Sequence, residues 1–218
     1  LDFIARNRLP HRLVDLDEDE KAERLVRQLG ATVADFPLVI LGGSRTVLAA
    51  TPARLAAELG MRPPAPPTTC DVVVVGAGPA GLATAVYAAS DGLSVYLCDS
   101  VATGGQAGAS AKIENYLGFP AGVSGAELAD RSLLQVRKFG ATLDIPATVQ
   151  EVVEADDRFR VVFDDGREVT SEVVVLATGV KYRSLPAVGL DRFQTSYVFY
   201  AATAHEARVC VDAPVAVV

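Results

Sequence analysis

The pattern of apolar and polar residues changes at residues 62–69, where RPPAPPTT carries four prolines. Proline cannot continue a helix or donate a hydrogen bond to a sheet, so this stretch predicts a linker. Residues 1–61 precede it. Their order predicts a β-α-β-β-α module, with a short strand (LVDLD), an amphipathic helix (DEKAERLVRQLG), a Gly-Gly hairpin (FPLVILGGSRTVLAA) and a capped helix (TPARLAAELG).

Beyond the linker the apolar runs become continuous. DVVVVGAG predicts a buried strand, the next residues a helix from Pro79 to about Ser90, and LSVYLCD a second strand. Such a strand, glycine turn, helix and strand form a βαβ unit, and uninterrupted apolar strands are typical of a parallel sheet. Residues 147–179 then alternate strand patterns with turn signals, Asp-Asp at 156–157 and Asp-Asp-Gly at 164–166. They predict an antiparallel meander that returns to the sheet as EVVVLATG.

The turn between the first strand and its helix carries the motif G-x-G-x-x-G as Gly76-Ala77-Gly78-Pro79-Ala80-Gly81. In this context the first glycine permits a tight turn, the second lets backbone approach a pyrophosphate, and the third lets the helix lie close to the strands. Asp99 follows Gly78 by 21 residues and ends the second strand. A carboxylate there can accept hydrogen bonds from both hydroxyls of an adenosine ribose. The constellation predicts a dinucleotide site.

Composition narrows the classes of partner and location. The net charge is −7, from 20 basic and 27 acidic residues, and no basic run is present, which argues against nucleic acid. The opening LDFIARNRLPHR is charged throughout and no long apolar stretch follows, so we expect a cytoplasmic protein that does not contact a membrane. Cys70, Cys98 and Cys210 lie far apart without a CxxC. This spacing argues against a disulfide framework or a metal site and favours buried structural cysteines.

Three segments carry a family resemblance: GAGPAGLATAVYAA, then TGGQAGASAKIENYLGFP, then VVLATG. In this order they resemble the flavin domain of thioredoxin reductase and related FAD-dependent pyridine nucleotide-disulfide oxidoreductases, over residues 70–218. The resemblance implies FAD as cofactor and NAD(P)H as its reductant in the complete protein. The further cofactor-binding residues that it implies are Gly105, Gln106 and Asn115 near the flavin and pyrophosphate, Val149 beside the adenine, and Thr178 and Gly179 where the chain leaves the flavin domain. For Gln106 and Asn115, ordinary loop hydrogen bonding is the alternative.

The resulting expectation for the fold class is α/β, with a Rossmann-like three-layer FAD-binding domain that includes the meander. We expect a partial thioredoxin-like module at 1–61, the linker at 62–69, an incomplete FAD domain at 70–188 and the start of an NAD(P) domain at 189–218. The front module resembles the C-terminal half of a thioredoxin or glutaredoxin. There, Pro37 matches a cis-proline beside the active site, or else it begins an edge strand after a trans bond.

The redox segment of the resembled family is altered in this chain. Where thioredoxin reductases carry Cys-Ala-Thr-Cys, the matching residues are Ala201, Ala202, Thr203 and Ala204. Alanine cannot form a thiolate, so a direct dithiol relay through this segment is excluded. No catalytic residue is assigned. His205 and Glu206 fit either a proton donor and its partner beside the reduced flavin, or an exposed helix start.

These observations predict the FAD-binding portion of a thioredoxin-reductase-like, NAD(P)H-dependent flavin oxidoreductase. The chain stops at APVAVV before a second glycine loop, so we expect a fragment that is inactive alone. Its electron acceptor would be a small redox protein, a small molecule such as a quinone, or a dithiol module elsewhere in the parent protein. The sequence is also compatible with a homodimer. Two alternatives remain open: a flavin- or nucleotide-sensing regulatory protein without turnover, and a domain that binds NAD alone.

Overall fold

A computed structural model describes residues 2–16, 18–43, 45–180, 183, 185–193, 197–199, 207–208, 210–211 and 213–217. The helices are α1 (Asp2–Arg6), α2 (Glu20–Gln28), α3 (Pro52–Glu58), α4 (Pro79–Ser90) and α5 (Gly125–Lys138). The strands are β1 (Val39–Leu41), β2 (Arg45–Val47), β3 (Thr69–Val75), β4 (Val95–Cys98), β5 (Thr142–Asp144), β6 (Val149–Ala155), β7 (Arg158–Phe163) and β8 (Glu168–Leu176). One compact unit spans Leu1–Gly179 and a second spans Val180–Val218.

A six-stranded sheet with the order β5-β4-β3-β8-β7-β6 forms the centre of the first unit. β3 lies parallel to both β4 and β8, and β4 lies parallel to β5. β6, β7 and β8 form an antiparallel meander whose last strand returns to the sheet beside β3. The predicted βαβ unit and meander are therefore confirmed, and so is the α/β class.

The helix α4 lies close to the strand that precedes it. It begins after Gly78 with Pro79 in its first turn, a position where the missing N–H of proline costs nothing. Three of its four buried residues are glycine or alanine, which allows this close approach; the fourth is Leu82. α5 packs nearby and is capped by Ser124, whose hydroxyl accepts a hydrogen bond from the N–H of Glu127 at 3.1 Å.

The front of the chain departs from its predicted order at the beginning. The expected strand LVDLD is absent, because described residues 11–16 form no strand, and Asp2–Arg6 is instead a short helix that the sequence did not predict. A strand needs a ladder partner, and among the described residues β1 and β2 pair only with each other. Leu13 is accordingly 71% exposed. The amphipathic helix, the hairpin and the capped helix are present as predicted.

The front residues share a hydrophobic core with the sheet. One buried cluster joins Phe3, Leu55 and Met61 to Val74 and Leu82 across the proline-rich stretch. A second cluster lies under the meander and includes Tyr96 and Phe163. The Phe36–Pro37 peptide bond is cis, so the alternative of a trans bond is wrong. The domain boundaries at 61/62, 69/70 and 188/189 stay predictions.

The longest helix in the described ranges, α5, has 14 residues. Within those ranges no helix has the length and apolar character needed to cross a bilayer.

Candidate functional site

The turn from β3 into α4 requires two of its glycines. Gly76 has a φ of 107°, and a Cβ on it would lie 2.3 Å from the carbonyl oxygen of Ala177, at the exit of β8. A Cβ on Gly81 would lie 1.8 Å from the carbonyl oxygen of Gly76. No side chain fits at either distance, so these glycines allow strand, turn and helix to approach one another as the motif predicts.

The amino terminus of α4 presents free backbone donors. Gly78 is its N-cap and provides no side-chain cap, and the first helical hydrogen bond runs from the N–H of Leu82 to the carbonyl of Gly78 at 2.9 Å. The N–H groups of Ala80 and Gly81 precede that bond and have no acceptor within the residues that the structure describes. Because the helix dipole is positive at this end, the turn is suited to an anion.

The loop at residues 101–105 lies directly over this turn. The N–H of Gly104 donates to the carbonyl of Ala77 at 2.7 Å. Gly105 has a φ of 51°, and a Cβ on it would lie 3.1 Å from the Cα of Gly78. The structure therefore brings Gly105 and Gly78 together. Gln106 begins the adjacent 3₁₀ helix Gln106–Ala109 and is exposed.

Asp99 has a structural role that sequence reasoning missed. Its Oδ2 accepts a hydrogen bond from the N–H of Ala77 at 2.8 Å, inside the glycine turn. Its Oδ1 accepts from the N–H groups of Val101 at 2.8 Å and Ala102 at 3.0 Å. A carboxylate offers about four acceptor positions, so roughly one of them remains for a ligand. From the sequence, the position of Asp99 at a strand end predicted only a contact with the ligand and not these backbone hydrogen bonds.

Four predicted site residues line one cavity of ≈ 150 Å³: Gly76, Asp99, Val149 and Thr178. The other lining residues are Val75, Ser100, Ala147 and Thr148. They meet because the carboxyl ends of β3, β4 and β8 share one edge of the sheet, at the point where the strand order reverses. Typical ligand pockets measure roughly 300–1,000 Å³, so this cavity can accept one end of a dinucleotide.

The other predicted site residues do not line this cavity, Asn115 and Gly179 among them. Asn115 is exposed in a loop two residues after Ile113, which forms a bridge with Val123. Gly179, with a φ of 67°, is also exposed and ends the first compact unit. The cofactor-binding roles of all the predicted site residues, including Asn115, Gly179 and the exposed Gln106, stay predictions.

A buried charge network lies behind the cavity, and sequence reasoning did not find it. Asp144 is fully buried and accepts hydrogen bonds from the Tyr96 hydroxyl, from the Nε of Arg62 at 3.0 Å and from the Nη1 of Arg167 at 2.5 Å. Burial, together with the hydrogen bond to Asp144, raises the pKa of Tyr96. The only sign in the sequence is the acidic residue Asp144 at the end of the three-residue strand β5. Residues 147–149, on the cavity wall, follow it closely.

The cysteines of the first unit are unsuited to thiol chemistry. Burial raises the pKa of Cys98 to about 12, and burial together with the neighbouring Asp71 raises the pKa of Cys70 to about 11. Both remain protonated near neutral pH, and a thiol is a poor nucleophile. The predicted segment Ala201–Ala204, with His205 and Glu206, lies outside the described residues.

Comparison with known proteins adds a family and several relatives. The family model described as pyridine nucleotide-disulphide oxidoreductase matches residues 70–218. A thioredoxin reductase from Listeria monocytogenes is 32% identical over 132 residues, which cover 61% of this chain and 40% of the relative. A thioredoxin reductase from Aquifex aeolicus is 32% identical over 153 residues, covering 70% and 47%.

Solved structures similar to this chain also include thioredoxin reductases. The thioredoxin reductase of Streptococcus pyogenes superposes with a TM-score of 0.51 at 36% identity, over 55% of this chain and 38% of that one. That of T. acidophilum has a TM-score of 0.53 at 31% identity, over 58% and 41%. The chain thus spans less than half the length of these relatives.

Proposed function

Because the chain belongs to the pyridine nucleotide-disulphide oxidoreductase family, we propose that it is the FAD-binding part of an NAD(P)H-dependent oxidoreductase similar to thioredoxin reductase. The observation that carries this proposal is the meeting of three features at one sheet edge. These are the uncapped amino terminus of α4, the loop at residues 101–105, and the cavity that Asp99 and Val149 line. A dinucleotide has a charged pyrophosphate at its centre, which matches the helix terminus and the loop. It also has a ribose-bearing end, which matches the cavity.

The residues at the edge fit FAD. Its pyrophosphate would accept hydrogen bonds from the N–H groups of Ala80 and Gly81, next to Gly78, where the nearest protein atom to an added Cβ is 4.0 Å away. The remaining acceptor position of Asp99 suits a ribose hydroxyl, and Val149 offers backbone and an apolar side chain to the adenine. When bound, FAD supplies the hydride and electron transfer, while the chain supplies position and electrostatics.

The route to the final acceptor differs from a dithiol relay in this proposal. Ala201 and Ala204 occupy the two positions that match the dithiol cysteines, and neither can form a disulfide. Cys70 and Cys98 are buried and protonated. Electrons would therefore leave the flavin for a small redox protein, a small molecule, or a dithiol outside these residues. The relatives named above are thioredoxin reductases, so the regulatory and NAD-only alternatives gain no support from them.

Replacement of Gly78 by alanine tests the proposed pyrophosphate contact. The added Cβ meets no protein atom closer than 4.0 Å, so we expect the free energy of unfolding of the apoprotein to change by less than about 1 kcal/mol. The methyl group would occupy the path of the pyrophosphate, so FAD affinity, measured by quenching of flavin fluorescence, should fall at least about tenfold, a loss of roughly 1.4 kcal/mol.

Gly81→Ala is the matched control for this experiment. Its Cβ would collide with the backbone of Gly76, so this variant should lose stability whether or not FAD binds. Undiminished FAD affinity in a folded Gly78→Ala protein would refute the proposed pyrophosphate position. A protein that binds no FAD before any substitution would refute the proposed function itself.

A further inference from the structure

The amino-terminal segment, residues 2–10, packs beside the loop at residues 101–105. Phe3 is 9% exposed and belongs to the main core cluster, against which Ile4 and Leu9 also pack. These apolar contacts fix both ends of a short stretch that contains Asn7 and Arg8. The polar side chains of that stretch are thereby directed at the loop, which carries the glycines beside the phosphate turn.

Asn7 forms the first contact with the loop. Its Nδ2 donates to the carbonyl of Phe3 at 2.9 Å and to the carbonyl of Val101 at 3.1 Å. The side chain is nearly buried, and its Oδ1 has no hydrogen-bond partner within the described residues. A buried amide that joins two backbone segments in this way stabilises one arrangement of the two.

Arg8 forms the second and larger contact. Its Nη1 donates to the carbonyl of Thr103 and its Nη2 to the hydroxyl of Thr103, both at 3.1 Å. Its Nε and Nη2 reach the Oδ1 of Asp130 on α5 at 2.9 and 2.8 Å. The planar guanidinium therefore joins the amino-terminal segment, the loop and α5. Arg8 also has a φ of 54°, a conformation that a non-glycine residue keeps only when its surroundings impose it.

Thr103 connects this contact to the phosphate turn. It is 4% exposed and precedes Gly104, whose N–H donates to the carbonyl of Ala77 at 2.7 Å. On the other side of the loop, Asp99 accepts from Val101 and from Ala77. Hydrogen bonds of Gly104 and Asp99 thus hold the loop to the glycine turn, and hydrogen bonds of Thr103 hold it to Arg8. Arg8 does not line the cavity, so any effect on a ligand passes through the loop.

We propose that Arg8, assisted by Asn7, is a positioning residue that keeps the loop at residues 101–105 closed over the dinucleotide. This proposal rests on the proposed FAD site and adds a role for the front of the chain, which the flavin-domain resemblance does not cover. Displacement of the amino-terminal segment would open the loop and weaken flavin binding while leaving the cavity intact.

The test compares Arg8→Ala and Arg8→Lys with the control Arg12→Ala in the purified full chain. Arg12 lies two residues beyond this segment, and its side chain is 83% exposed and 3.7 Å from Asp19. Amide hydrogen exchange of the apoprotein reports on loop opening. For Arg8→Ala we expect exchange at residues 101–105 to rise about tenfold while β3 and β4 remain unchanged, and FAD affinity to fall about tenfold.

The other two variants separate positioning from general stability. Arg8→Lys should lie between wild type and Arg8→Ala, because lysine keeps the charge near Asp130 but loses the fork that contacts Thr103. Arg12→Ala should leave both exchange and affinity within about twofold of wild type. Unchanged loop exchange together with unchanged FAD affinity in Arg8→Ala would overturn the proposal.

A second variant covers the case in which Arg8→Ala does not fold. Asp130→Asn alters a partner that is 60% exposed and removes no buried atom, so it should produce a smaller change in the same direction. No change in loop exchange for Asp130→Asn, with Arg8→Ala unfolded, would overturn the proposal. A wild type that binds no FAD, combined with faster loop exchange in Arg8→Ala, would refute the proposed function and leave the role of Arg8 on the loop standing.

Discussion

Asp99 connects the glycine turn to the loop that covers it. Its two carboxylate oxygens accept three backbone hydrogen bonds, one from Ala77 and two from Val101 and Ala102. All three donors are N–H groups, so an acceptor is required on both sides of the side chain. A neutral amide of the same shape offers an acceptor on one side only.

Asp99→Asn should therefore destabilise the apoprotein, because its NH₂ group must face either the N–H of Ala77 or those of Val101 and Ala102. We expect the free energy of unfolding, measured by urea denaturation without FAD, to fall by about 1.5–3 kcal/mol. Asp91→Asn, at an exposed helix end, is the control and should change it by less than about 0.5 kcal/mol. A stable Asp99→Asn protein that had lost only FAD affinity would restrict Asp99 to the ligand.

At the scale of the elements, the connection from β5 to β6 forms one wall of the cavity. Asp144 ends β5, and Ala147, Thr148 and Val149 follow on the cavity wall. The carboxylate of Asp144 is enclosed by Arg62, Arg167 and Tyr96, which come from the proline-rich stretch, the β7–β8 turn and β4. Burial of two arginines beside a single aspartate is tolerated because Asp165 contacts both guanidinium groups.

Removal of the Asp144 carboxylate would take away the buried acceptor that Arg62 and Arg167 share. For Asp144→Ala we expect a loss of about 3–5 kcal/mol in the free energy of unfolding, since breaking one side of a buried ion pair leaves the other side uncompensated. Asp164→Ala, an exposed aspartate in the same turn region, should cost less than about 0.5 kcal/mol. Equal effects of the two substitutions in thermal or urea unfolding would contradict a role for the network.

At the scale of the whole molecule, the proposed function concerns the number of electrons that the protein stores. A flavin accepts one electron pair, and a redox-active disulfide accepts a second pair as it is reduced to a dithiol. Ala201 and Ala204 stand at the two positions that match the dithiol cysteines of thioredoxin reductases. Cys70 and Cys98 are buried, and they lie far apart in the sequence. The proposed protein would hold the first pair alone.

An anaerobic dithionite titration of the FAD-loaded protein measures this capacity. We expect the flavin absorbance to bleach completely after about one electron pair per FAD, the same stoichiometry as free FAD titrated in parallel. This experiment needs no nicotinamide domain, so it is independent of the NAD(P)H part of the proposal. Consumption of two electron pairs per FAD would show a disulfide in exchange with the flavin and would contradict the proposed electron route.

Local residue patterns were sufficient for much of the fold and part of the site. The unbroken apolar run before Gly76, the glycine spacing and the acid at Asp99 predicted the βαβ unit, and the structure places Asp99 and Val149 on one cavity. The strand expected at LVDLD failed because alternation predicts a strand only where a neighbouring strand can pair with it. Arg8 was not found because its partners, Thr103 and Asp130, are distant in sequence.

By itself, the sequence determined the features that depend on neighbouring residues: the glycine turn, the helix caps, the buried strands and the absence of cysteine from residues 201–204. Only the tertiary structure decided which distant groups meet. It brought Asp144 to Arg62 and Arg167, Arg8 to the loop over the phosphate turn, and the ends of three strands to one edge. The physical reason is that side-chain hydrogen bonds and ion pairs form between groups that are close in space, and chain topology rather than local propensity sets that proximity.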